Sequence, residues 1–266
     1  MKALRVLHTS VVWLWAFAWC VLWASVAMVV ALASPEAALA LARRFWARPI
    51  FWVCGARLQV EPLPEVDWKR PYVFAMNHQS NLDIPAAIAA LPVNLRFMAK
   101  HTLAYVPFLG WTMWLTGMIP VNRTSPTHAV ASLRLAGERI RAGASILVFP
   151  EGTRSRDGRI HPFKRGAFAV ALEARVPVVP VAIEGAGAVQ PADEWTVYPG
   201  VVRIKVGRPI PTEGREPQDR AGLAREVREA IVQLQREIGG RGGDPAAEIA
   251  PPEQPHRPGA GSTPTA

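Results

Sequence analysis

Only two cysteines occur in the 266 residues, Cys20 and Cys54, and neither belongs to a CxxC or other metal-ligand spacing. A disulfide framework is not the organising device, and the chain suits a reducing compartment. No G-x-S-x-G occurs, so the nucleophile elbow of serine hydrolases is missing. Acidic residues are few, 21 against 30 Lys and Arg, for a formal net charge of +9. Such an excess favours anionic partners: nucleic acid, an anionic membrane surface or phosphorylated substrates. No run of Lys and Arg interleaved with aromatics marks a nucleic-acid stripe, so nucleic acid is not expected as a partner. Before Leu58 the only acid is Glu36, against Lys2, Arg5, Arg43, Arg44, Arg48 and Arg57. That basic excess flanks the most apolar stretch of the chain, which directs it to lipid.

The apolar stretch is Val11 to Ala33, 23 residues without a charge, whose only hydroxyl is Ser25. As a helix it reaches roughly 35 Å, against a hydrocarbon core of about 30 Å. Trp13, Trp15, Trp19 and Trp23 crowd its first half, as in a segment anchored at an interface. A cleaved signal peptide is the rival reading, with Lys2 and Arg5 as its basic end and Ala31-Leu32-Ala33 as a cleavage site. The apolar run is longer than the ~7–15 residues of a signal core, which favours retention. Whether it crosses the bilayer or dips in and returns stays open. Ser34-Pro35 reads as an N-cap followed by proline at the first helical position. The next helix, to about Arg48, carries Arg43, Arg44 and Arg48 beside Leu41, Phe45 and Trp46. It fits a basic amphipathic helix in the headgroup region, or a helix packed on the soluble domain. The basic residues after the apolar run place the C-terminal bulk on the cytoplasmic side of the inner or plasma membrane.

From Tyr72 short apolar runs alternate with helical stretches. Strands are expected at Tyr72–Met76, Ile146–Phe149, Val178–Ile183 and Val201–Val206, and helices at Pro85–Ala90, Ala129–Ala142 and Lys164–Ala174. The alternation predicts an α/β fold with a mostly covered central sheet flanked by helices, preceded by an N-terminal helical membrane anchor. The division expected is membrane-associated helices over 1–57, the α/β domain over 58–212 and an amphipathic helix over 213–238. A disordered tail rich in Gly, Pro and Ala then covers 239–266.

Two phrases carry chemistry. Asn77-His78-Gln79-Ser80-Asn81-Leu82-Asp83 sits between a strand and a helix. An imidazole there can take a proton from an alcohol near neutral pH, and a turn can bring the Asp83 carboxylate onto it. The plainer reading of Asp83 is a helix cap. Ser80 and Asp83 match a capping box, but Pro85 fits better with Asp83 as the cap, where no N–H is lost. Phe149-Pro150-Glu151-Gly152-Thr153-Arg154-Ser155 also follows a strand. Gly152 allows close backbone approach, Arg154 can grip a phosphate with paired hydrogen bonds, and a buried Glu151 must meet a cation or a backbone N–H. A solvated loop is the plainer reading. Lys100 and Arg123 each end an apolar run, as a cleft cation or a surface one.

These phrases, with Gly117 to Arg123 and Val176-Pro177-Val178-Val179-Pro180-Val181, resemble in order and spacing the four motifs of the phospholipid/glycerol acyltransferase family, most closely its 1-acylglycerol-3-phosphate acyltransferases. The resemblance covers roughly residues 58 to 212, with Phe163 to Ala167 as a further family-like phrase. Pro120 and Asn122 depart from the usual second motif, which bears on acceptor preference. The resemblance implies that His78 is the base and Asp83 its partner. It assigns Arg123, Glu151, Gly152, Thr153 and Arg154 to the acceptor phosphate site, with Lys100, Asn77 and Ser80 beside them. It implies transfer of an acyl group from acyl-CoA or acyl carrier protein to a lysophospholipid hydroxyl among membrane lipids, with no cofactor, no metal and no acyl-enzyme. Another lyso-lipid acceptor, such as a lyso-ornithine lipid, is the alternative. A non-catalytic lipid-binding protein and a metal-dependent hydrolase are the readings from other classes.

Overall fold

Val73-Phe74-Ala75-Met76 and Ser145-Ile146-Leu147-Val148 are buried at every position. Strands covered on both faces read as continuous apolar runs rather than alternating ones, and they take the middle of a parallel sheet. A computed structural model describes residues 2–122 and 126–243. In it these two strands, β2 (Val73–Met76) and β5 (Ser145–Val148), lie side by side in a seven-stranded sheet. The other strands are β1 (Ala56–Val60), β3 (Leu95–Lys100), β4 (Ile119–Val121), β6 (Val178–Glu184) and β7 (Gly200–Val206). The order is β1-β7-β6-β2-β5-β3-β4, parallel throughout except for the β6–β7 pair. The mixed α/β architecture with a covered central sheet is the one the alternation predicts. The strands β1, β3 and β4 add to the four runs read as strands.

Alternate residues along the strands feed two cores. Phe74, Met76 and Leu147 pack with α3 (Ala47–Val53) and α4 (Asp83–Ala90) on one face. Val73, Ala75, Ile146 and Val148 pack on the other with α6 (Pro126–Arg141), α7 (Gly166–Ala174) and α9 (Arg220–Glu237), while the short α8 (Ala186–Val189) lies between β6 and β7 in the chain. Helix α9 turns Leu223, Val227 and Ile231 inward, all fully buried. Beyond it the described chain runs to Gly243, which bridges to Ile160. The rest of the expected tail, 244–266, lies outside the described residues.

The N-terminal helix α1 extends over Lys2–Ala33, longer than the apolar run alone. Over Ala3–Ala33 it is long and apolar enough to cross a membrane, and little of that stretch is buried. Ser34 caps α2 (Pro35–Leu41), its Oγ accepting from the Ala37 N–H at 3.1 Å, with Pro35 in the first turn. A π turn over Ala42–Trp46 leads into α3. Not all the tryptophans face outward. Trp15 and Trp19 stack at 5.0 Å and pack against the core, and Trp19 Nε1 donates to the Trp46 carbonyl at 3.1 Å. An indole N–H removed from water needs such an acceptor, which turns these rings toward the π turn. Leu4, Leu7, Leu14, Phe17, Leu22, Val29 and Leu32 make the exposed apolar face instead.

A second apolar surface lies between β3 and β4. A 3₁₀ turn over His101–Tyr105 and helix α5 (Leu109–Leu115) expose Tyr105, Phe108, Trp111 and Trp114, the last at 81%. The two pieces pack so closely at Gly110 that an added Cβ would lie 2.0 Å from the Ala104 carbonyl oxygen. Thr112 Oγ1 donates to the Ala24 carbonyl, which ties this element to α1.

Candidate active site

Because β2 and β5 are parallel neighbours, their carboxyl ends deliver His78 and Glu151 to one edge of the sheet, where ligands of open α/β sheets bind. Asn77 steers the chain out of β2. Its Nδ2 donates to the Ile183 carbonyl at 2.9 Å, and its Oδ1 accepts from the Ile183 N–H at 2.8 Å. The amide thus stands in for one more rung of the β2–β6 ladder and fixes where His78 begins.

The loop then folds around the Asp83 carboxylate. Asp83 Oδ2 accepts from His78 Nδ1 at 2.6 Å, from the Gln79 N–H at 2.6 Å and from the Ser80 N–H at 2.9 Å. Its side chain is fully buried. Three donors and the first turn of α4 offset the charge. The cap assignment needs correcting by one residue: Leu82 is the cap and Asp83 the first helical residue. Pro85 still falls where no N–H is needed. Asp83 does not cap α4; its carboxylate turns back on residues 78–80.

With Nδ1 committed to Asp83, Nε2 is the nitrogen left to meet a substrate. The His78 ring stacks on Phe149, with centroids 4.0 Å apart and planes at 18°, and 18% of its side chain stays exposed. The second loop grips the His78 backbone on both sides. Its N–H donates to Glu151 Oε1 at 2.8 Å, and its carbonyl accepts from the Ser155 N–H at 2.6 Å. Glu151 Oε2 takes the His161 N–H at 3.0 Å. Both oxygens of Glu151 are therefore spent on backbone donors, so in this structure it braces the His78 backbone.

Burial pushes the Glu151 carboxyl up to about 7, despite the two backbone donors, with the nearby Asp83 charge adding to the rise. A folded-state pKa above the unfolded one adds stability that is complete at low pH. That stability fades as pH climbs through the folded value. Between pH 5 and 8 the wild type is expected to lose about 2–3 kcal/mol that Glu151→Gln, which cannot titrate, does not lose. Denaturant unfolding of both proteins across that range checks this; parallel profiles would contradict it.

Asn77 is engaged with Ile183, and the Ser80 hydroxyl donates to Gln190 Oε1 at 2.9 Å while accepting the Leu82 N–H. Both are buried and hold the loop rather than a substrate. Gly152 takes a positive φ of 76° in the turn that its N–H closes onto the Phe149 carbonyl. Thr153 is exposed, and the half-buried Arg154 has no hydrogen bond or ion pair with another described residue. Lys100 ends β3 on the same carboxyl edge and is exposed. Arg123 lies outside the described residues.

Several supporting residues escape sequence reasoning. Gln190 Oε1 also takes the Asn81 N–H, and Glu184 Oε2 accepts from both Gln79 Nε2 and Gln235 Nε2. Only Gln235 carries a signal: it continues the buried α9 stripe of Val227 and Ile231, where a polar residue demands a partner.

A family model described as Acyltransferase matches residues 57–184. A chloroplast 1-acyl-sn-glycerol-3-phosphate acyltransferase of Brassica napus is 40% identical over 152 residues, 57% of this chain and 43% of that one. The 1-acyl-sn-glycerol-3-phosphate acyltransferase alpha of Ovis aries is 34% identical over 197 residues, 73% of this chain and 69% of its own. The crystal structure of a 1-acyl-sn-glycerophosphate acyltransferase from Thermotoga maritima superposes with a TM-score of 0.79 at 26% identity, covering 91% of this chain and 99% of that one. The chain thus spans less than half of the plant relative and about two thirds of the sheep one.

Proposed function

The chain belongs to the family of 1-acylglycerol-3-phosphate O-acyltransferases, and from that premise we propose that it acylates the free hydroxyl of 1-acyl-sn-glycerol 3-phosphate to give phosphatidic acid. The donor is acyl-CoA or acyl carrier protein, and no further cofactor takes part. The observation that carries the reading is a histidine whose Nδ1 is held by a buried carboxylate while Nε2 is left for substrate.

The acceptor hydroxyl meets His78 Nε2, which takes its proton as the oxygen attacks the thioester carbonyl. Asp83 holds the tautomer with hydrogen on Nδ1 and stabilises the imidazolium. Collapse of the tetrahedral intermediate breaks the C–S bond. The departing thiolate takes the proton back, and the imidazole is regenerated. The acyl group passes directly between substrates. The Arg154 guanidinium can hold the acceptor phosphate through paired hydrogen bonds, and Arg123 is the second cation proposed there.

The enzyme works at a membrane, on its cytoplasmic side, where both candidate donors are found. The outward face of α1 and the Tyr105–Trp114 surface, joined through Thr112 and Ala24, form the lipid-facing side. Tryptophans suit the boundary between headgroups and acyl chains.

Purified protein should turn over 1-acylglycerol 3-phosphate faster than a lyso-ornithine lipid or a lysophospholipid with a larger head group, with one or both donors. Faster acylation of another lyso-lipid would move the proposal to that acceptor, and no acyl transfer to any would remove it. In the same assay Trp114→Glu should slow turnover of acceptor held in vesicles, at unchanged turnover in detergent micelles. Equal loss in both would contradict the membrane contact.

A further inference from the structure

The opposite edge of the sheet holds a second concentration of positive charge, which the reaction does not use. Asn94, Arg96 and Ser145 lie at the amino ends of β3 and β5, whereas His78 and Glu151 follow carboxyl ends. There a cavity of about 360 Å³ is lined by Arg43, Lys69, Arg70, Arg96 and Arg139, with Glu36 as the one acidic side chain.

Arg96 is the unusual member. It is 7% exposed, between the buried apolar Leu95 and Phe97. Its Nη2 donates to Glu36 Oε1 at 2.8 Å and its Nη1 to the Asn94 carbonyl at 3.3 Å, but its Nε is buried without an acceptor. Its counter-ion is a carboxylate whose side chain is 65% exposed. A second guanidinium, Arg139, stands beside it. A Cβ on Gly117 would lie 3.4 Å from Arg139 Cζ and 3.6 Å from Arg96 Nε, so both groups touch the same small residue. Gly117 keeps a positive φ of 74° and leaves room for the pair. The C-terminal carbonyls of α6 account in part for Arg139. They do not account for Arg43, Lys69 and Arg70, which form no ion pair with a described residue.

We propose that this cavity is a binding site for a phosphate ester, separate from the catalytic edge. Several guanidiniums facing one space match phosphate oxygens through paired donors. An incoming phosphate would compete with Glu36 for Arg96 and so loosen the tie between α2 and β3. The ester can come from a lipid headgroup or from a soluble metabolite. Arg43 sits on the π turn next to exposed Arg44, Phe45 and Arg48, which gives the cavity access from the membrane-associated helices.

The test uses full-length protein in detergent and on vesicles. Glycerol 3-phosphate is titrated at constant ionic strength while thermal unfolding is followed, and binding to phosphatidylcholine vesicles is compared with and without phosphatidylglycerol. The double variant Arg43→Gln/Arg139→Gln removes two lining charges at exposed or half-buried positions. Arg44→Gln/Arg48→Gln removes the same charge outside the cavity, and Arg154→Gln removes a cation from the catalytic edge.

A soluble source predicts that glycerol 3-phosphate raises the unfolding temperature of wild type and Arg154→Gln, and that the cavity variant loses this rise. A lipid source predicts that the cavity variant loses at least about fivefold of the phosphatidylglycerol-dependent binding, and more than Arg44→Gln/Arg48→Gln loses. The proposal is overturned if the cavity variant keeps the glycerol 3-phosphate response and also loses no more vesicle binding than Arg44→Gln/Arg48→Gln. A rise lost only in Arg154→Gln would assign phosphate binding to the catalytic edge alone and would likewise overturn it.

Discussion

Asp83→Asn should lower kcat by about 10³–10⁴-fold in a protein that still folds. The three bonds to Asp83 Oδ2 explain both halves of that statement. An asparagine carbonyl oxygen can still take the Gln79 and Ser80 N–H groups, so the loop keeps its main ties. The oxygen that now meets Nδ1 cannot serve all three donors and also carry a charge. If the amide turns its NH₂ toward the ring, the Gln79 and Ser80 N–H groups lose that acceptor, and the NH₂ donates to Nδ1 and forces the ring proton onto Nε2. The atom facing the acceptor hydroxyl is then a donor, and no lone pair is left to take the proton. If the carbonyl keeps facing Nδ1, the tautomer survives but the imidazolium loses its counter-charge. Either way the loss falls on kcat rather than on acceptor binding. Asp83→Ala should add a folding defect, because each buried N–H left without a partner costs about 1–3 kcal/mol. Steady-state kinetics with thermal unfolding on the two variants separates these effects. An Asp83→Asn enzyme within tenfold of wild type would mean the carboxylate only shapes the loop.

The parts of the fold legible in the sequence are those whose physics is local. An apolar run too short for a helix, broken by a polar phrase, gives β2 and the loop after it. Ser34-Pro35 announces α2 through cap chemistry alone. The edge strands are harder. β1 mixes Arg57 and Gln59 among its apolar residues and is only partly buried, and β4 is three residues with Pro120 in the middle. A proline is tolerated there because β4 pairs on one side only, with β3. The 3₁₀ turn and α5 leave no periodic signal that marks them as a unit. Trp111 and Trp114 look like core residues to any rule that assumes water outside, and only the fold shows that they are bare. The role of Glu151 was legible as a demand for a partner, not as an address. Its donor at His78 is 73 residues away, and Gln79 meets Glu184 across 105. Such pairings are set by how strands assemble, so a motif's spacing cannot reveal which of its polar residues touch substrate and which hold the loop.

His78→Ala carries the other large effect. The variant removes the group proposed to join the hydroxyl's proton to the buried carboxylate. It also leaves Asp83 with one donor fewer and Phe149 without its stacked partner. General-base catalysis contributes about 10²–10⁴-fold, so turnover should drop by at least two orders of magnitude. Acceptor binding should hardly change, because the phosphate contacts proposed for Arg154 and Arg123 do not involve His78. The decisive measurement is acyl transfer to 1-acylglycerol 3-phosphate by purified wild type and His78→Ala, at saturating donor and acceptor, with acceptor binding followed separately. The account predicts near-native binding with kcat reduced about 100-fold or more. Transfer within tenfold of wild type would contradict it.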